Sequence, residues 1–76
     1  MDLRVGAAQF PVGGDPAANA DEVCSLMAAA RAGGARLVVF PESALSGYTP
    51  AEFPDLTTFD WEALDRATER VREAAA

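Results

Sequence analysis

Leu37-Val38-Val39-Phe40 sets four large apolar residues in a row, and Pro41 follows directly. The run is too short for a helix and too continuous for a strand with one wet face. It reads as a strand, Arg36 to Phe40, covered on both faces as in a parallel sheet. A parallel pair cannot be joined by a tight turn, so the residues ahead of the run must supply a partner strand and a crossover.

Both are present. Leu3 to Gln9 alternates, with Leu3, Val5 and Ala7 on one face and the small Gly6 and Ala8 on the other. Phe10-Pro11-Val12-Gly13-Gly14 breaks regular structure, and Asp15-Pro16 starts a helix with an Asp N-cap and Pro at the first helical position. Val23, Leu26, Met27 and Ala30 recur at helical spacing and form the expected buried stripe. Gly33-Gly34 ends the helix with a left-handed cap. Strand, helix and strand make a βαβ unit with the usual right-handed crossover.

Residues 41 to 59 hold three prolines and one glycine and read as a long loop, a kind of segment that often carries function. Asp60 then caps a last helix. Trp61, Leu64, Ala67 or Thr68, and Val71 fall on one face, and Glu62 and Arg66 pair at i,i+4. No Gly, Asn or Pro stops this helix before Ala76, which suggests an ending in mid-helix. Two strands and two helices leave sheet edges unpaired and an apolar face uncovered, so the isolated piece is expected to be marginal or oligomeric.

Composition excludes several chemistries. The 76 residues carry twelve acids, six arginines, no lysine and no histidine, for a net charge of −6. Without histidine, a Ser-His-Asp triad, a Cys-His pair and a His-ligated zinc are impossible within these residues. The dispersed acidic surface argues against nucleic-acid binding. A single cysteine, Cys24, cannot form an internal disulfide, and a reducing, cytoplasmic setting is the default. The N-terminus lacks the charged and apolar regions of a signal peptide, and no apolar run approaches the ~20 residues that span a bilayer.

Glu42 is the candidate for chemistry. In open parallel sheets, active sites gather beyond the carboxyl ends of the strands, and Glu42 stands two residues past the expected end of the second one. Pro41 fixes φ and biases Phe40 toward an extended conformation, so the strand ends at a defined point. Partial burial beside Phe40 would raise the carboxyl pKa and suit it to act as a base near neutral pH. The plain alternative is a solvated acid at a strand-to-loop junction.

Leu3-Arg4-Val5, Ala8-Gln9-Phe10, the helix carrying Asn19, the stretch Gly34 to Glu42 and Gly47-Tyr48 together resemble the N-terminal region of the nitrilase superfamily of carbon–nitrogen hydrolases. The likeness covers nearly the whole chain, in order and spacing. It implies an α/β fold in which these residues are the opening βαβ(α) portion of an αββα four-layer sandwich, incomplete in this chain. It also implies a Glu-Lys-Cys triad in which Glu42 is the general base for a cysteine thiol that attacks an amide or nitrile carbon. The substrate class would be a small-molecule amide, carbamoyl compound or nitrile, with no metal or organic cofactor. A homo-oligomer is implied for the full-length protein.

The departure from the family pattern is large. No lysine is present, and Cys24 precedes the glutamate where the family's nucleophile follows it. Cys24 reads as a small packed hydrophobe. These residues hold one third of a triad, and the 76-residue chain alone is expected to be inactive. Tyr48 is a candidate for lining a substrate pocket, or equally for packing at the sheet edge. Phe53 and Phe59 read as loop anchors. Gly13-Gly14 lacks a full phosphate-binding fingerprint, and Asp15 would repel an anion.

Two rivals accompany the hydrolase reading. One is the glutaminase portion of a glutamine-dependent NAD synthetase-type enzyme, which shares this N-terminal pattern. The other is a non-catalytic α/β interaction module in which Glu42 is a loop charge. The superfamily's acyltransferase branch is less expected, because its members carry membrane helices before this region.

Overall fold

A computed structural model describes residues 2–47 and 59–76. Strand β1 (Val5–Ala7) leads through helix α1 (Pro16–Ala32) to strand β2 (Leu37–Val39), and helix α2 (Trp61–Ala75) follows. β1 and β2 pair in parallel, with Val5 opposite Leu37, Gly6 opposite Val38 and Ala7 opposite Val39. Both strands are shorter than their apolar patterns suggest. The ladder still extends past the strand ends, because Arg36 N–H donates to Arg4 O (2.9 Å) and Ala8 N–H donates to Val39 O (2.8 Å).

Local chemistry sets the ends of α1. The Asp15 side chain accepts a 3.0 Å hydrogen bond from Ala17 N–H, satisfying one of the free donors of the first turn. At the other end Gly33 has an ordinary φ of −81°, and Gly34 is the residue in the left-handed region, at +88°. Gly34 N–H donates to Arg31 O and Ala35 N–H to Ala30 O, the paired bonds of a Schellman motif. Arg4 Nη1 adds a 2.8 Å bond to Gly33 O, tying the start of the sheet to the end of the helix.

α1 packs against α2 along its length and meets β1 where Ala30 faces Gly6. Ala20 and Val23 are buried on it, and Ala67 is the buried residue of α2. The rest of the expected stripe, Leu26, Met27 and Ala30, is half-buried. Asp21 of α1 and Arg70 of α2 close an exposed ion pair at 2.6 Å. On α2 the choice between Ala67 and Thr68 falls to Ala67; Thr68 is exposed and donates its hydroxyl to Leu64 O (2.8 Å). Trp61, expected on the buried face, is 56% exposed and meets Phe59 edge-on at 4.8 Å. It occupies the first helical position after the Asp60 cap, at the very end of α2.

The sheet is covered on one face. Gly6, Ala8, Val38 and Phe40 are half-buried on the α1 side, whereas Leu3, Val5, Leu37 and Val39 are 51–61% exposed on the other. The double coverage expected from four consecutive apolar residues is therefore absent among the described residues. Among them too, no helix is long and apolar enough to cross a membrane.

Candidate active site

Glu42 stands three residues beyond Val39, at the carboxyl end of β2, where the apolar strand gives way to a turn over residues 42–46. Pro41 separates the two elements and has no N–H to continue the ladder. The turn is closed by Gly47 N–H donating to Ser43 O (3.0 Å), and Ser46 Oγ donates to Gly47 O (2.9 Å). Ser43, immediately after the glutamate, has φ +53°, and Gly47 has φ +76°. Left-handed backbone is routine for glycine and costs a residue such as serine of the order of 1 kcal/mol. The backbone thus reverses directly behind Glu42.

The Glu42 side chain is exposed, while Phe40, Pro41 and Ser43 around it are half-buried. The apolar surroundings that would press on the carboxylate are not supplied by the described residues. A carboxylate at a strand's carboxyl end, on a backbone set by proline and a closed turn, can accept a proton from a donor brought to it.

Asn19 links this turn to the rest of the fold. Its side chain is 3% exposed, in the first turns of α1. Nδ2 donates to Leu45 O (2.9 Å) and to Gly13 O (2.9 Å), and Oδ1 accepts from Gly13 N–H (3.0 Å). Three of the four hydrogen-bonding positions of the amide are filled by backbone groups of two separate loops. In the sequence, Asn19 stands out only as part of the family pattern. The available signal was a polar residue four places before Val23, on the buried side of the helix.

Cys24 is a free, half-buried thiol on α1. It lies five residues beyond Asn19, about 7.5 Å further along the helix axis, and leads away from the Glu42 turn. Its half-burial on α1 fits the packing reading. Tyr48 and Phe53 lie outside the described residues. A groove of about 620 Å³ runs between α1, β2 and the end of α2, with Met27, Arg31, Arg36 and Phe40 among its walls. Glu42 is not one of them.

The family model for carbon–nitrogen hydrolases matches residues 4–76, nearly the whole chain. Comparison with curated proteins and with solved structures returned no match. The matched span includes the strand, the turn and the glutamate described above, and the chain belongs to the carbon–nitrogen hydrolase family, the nitrilase superfamily.

Proposed function

We propose that these residues form the glutamate-bearing part of a single hydrolase domain acting on non-peptide C–N bonds, with Glu42 as its general base. The observation that carries this reading is the placement of Glu42: a carboxylate at the carboxyl end of a parallel strand, in a chain of this family. The triad's lysine and cysteine would come from residues outside these 76, since no lysine occurs here and Cys24 packs in α1.

In this mechanism Glu42 takes the proton from the cysteine thiol as the sulfur attacks the amide, carbamoyl or nitrile carbon. For an amide, the C–N bond breaks with return of that proton to the leaving amine, giving a thioester. Glu42 then deprotonates the water that hydrolyses it. The lysine would stabilise charge on the tetrahedral intermediate. Tyr48 is proposed as a wall of the substrate pocket, and the complete protein as a homo-oligomer.

The bare sheet face supports the αββα architecture. Leu3, Val5, Leu37 and Val39 lie opposite α1, where a second sheet would pack in such a sandwich. Full burial of side chains of this size is worth about 1.5–3 kcal/mol each.

The test is Glu42→Gln in the complete enzyme, assayed against primary amides, carbamoyl compounds and nitriles. The swap keeps shape and removes the base, so turnover should fall by about 100-fold or more with an unchanged thermal transition. Retention of more than about a tenth of the wild-type kcat would exclude the role.

A further inference from the structure

We propose that Asn19 is a positioning residue for Glu42: its buried amide clamps the glutamate's turn to helix α1 and so holds the base in place. This inference rests on the reading of Glu42 as the general base.

Glu42 is exposed, and no hydrogen bond or ion pair to its carboxylate is found among the described residues. Its position is set from behind, through the backbone of the turn. That backbone is closed on itself by Gly47 N–H to Ser43 O and carries the unfavourable φ of Ser43. A turn with a strained residue persists only where its surroundings over-determine it. Asn19 is the described side chain that reaches it from another element, through Nδ2 to Leu45 O, 26 residues away in sequence.

The clamp is itself held. Asn19 is anchored on α1 and doubly bonded to Gly13, so its amide plane is fixed by two bonds before it meets Leu45. Losing the amide would leave the carbonyls of Gly13 and Leu45 and the N–H of Gly13 without these partners in a part-buried setting, where unmade hydrogen bonds are costly. The same residue joins the loop after β1 to the turn after β2. Both lie at the carboxyl edge of the sheet, so Asn19 sets the spacing of the two segments that frame the candidate site.

The experiment uses the complete enzyme with Asn19→Ala and Glu42→Gln, and reads amide exchange by NMR beside steady-state kinetics. In the wild type, the Asn19 side-chain NH2 should exchange at least about 10-fold more slowly than a free asparagine amide, as expected for a bonded, buried group. Free exchange would overturn the proposal, and this measurement stands even if Asn19→Ala fails to fold. In folded Asn19→Ala, Gly47 N–H should lose about 10-fold in protection while Ala67 and Val71 N–H in α2 keep theirs. Turnover per folded molecule should fall about 10-fold or more with KM little changed, the split expected when a base is misplaced and substrate binding is intact. Undiminished Gly47 protection, or full kcat per folded molecule, would overturn the proposal. Glu42→Gln separates the two ideas. If it stays active, the base reading fails; if it is inactive while Asn19→Ala turns over normally, only the positioning role fails.

Discussion

A Cβ placed on Gly6 would lie 3.6 Å from the Ala30 methyl, so β1 and α1 meet with room for one carbon between them. Its other neighbours, Ala35 Cβ and Val38 Cγ2, would stand at 3.7 and 3.8 Å, also ordinary van der Waals distances. The helix is seated close to β1 at this point because Gly6 and Ala30 are both small, and the gap between them is a methyl wide.

Gly6→Ala is therefore expected to be tolerated and slightly stabilising, by about 0.5 kcal/mol, because alanine loses less backbone freedom on folding. Gly6→Leu should cost about 1–3 kcal/mol by overpacking the same gap. Denaturant titrations of the two variants against wild type check both signs.

Ser43 holds φ +53° directly behind Glu42. Ser43→Gly should relieve that strain and leave the turn closed, whereas Ser43→Val should open it at a cost of about 1–3 kcal/mol. Protection of Gly47 N–H, whose acceptor is Ser43 O, reads the turn directly.

The apolar sheet face predicts different outcomes in two settings. In the 76-residue chain alone, Val39→Asp should change stability by less than about 0.5 kcal/mol, because Val39 is 55% exposed there. It should also weaken concentration-dependent assembly of that chain, measured by sedimentation. In the complete enzyme, where a second sheet would cover the face, the same variant should cost several kcal/mol or abolish folding, about what an unpaired buried carboxylate demands. Equal tolerance in both settings would argue against the sandwich.

Asp15→Ala removes the acceptor for Ala17 N–H and should destabilise by about 0.5–2 kcal/mol. Arg70→Ala breaks the exposed pair with Asp21 and should cost less than about 1 kcal/mol, diminishing further in high salt. Thermal melts at two ionic strengths distinguish a cap from a surface ion pair.

Much of the local structure was legible because its signals are local. Asp15-Pro16 began a helix where expected, Gly33-Gly34 ended it, and Asp60 capped the next one. The glycine pair concealed one detail: only Gly34 takes the left-handed conformation. Helical spacing placed Leu64 and Val71 on the inner side of α2 but left Ala67 and Thr68 open and could not exclude Trp61, whose exposure follows from its place at the helix end. The strained φ of Ser43 had no signal, since serine is not a residue that favours left-handed backbone.

The sequence by itself determined the order of elements, the parallel pairing implied by Leu37 to Phe40, and the location of Glu42 just past Pro41. Capping, periodicity and proline's fixed φ act within a few residues, so those features are written along the chain. Tertiary structure decided which face of the sheet is bare and which side chain reaches the glutamate's turn. Asn19 bonds to Gly13 and to Leu45, and the second partner is 26 residues distant. Its role exists only once α1 has packed on the sheet and brought the two loops to one edge.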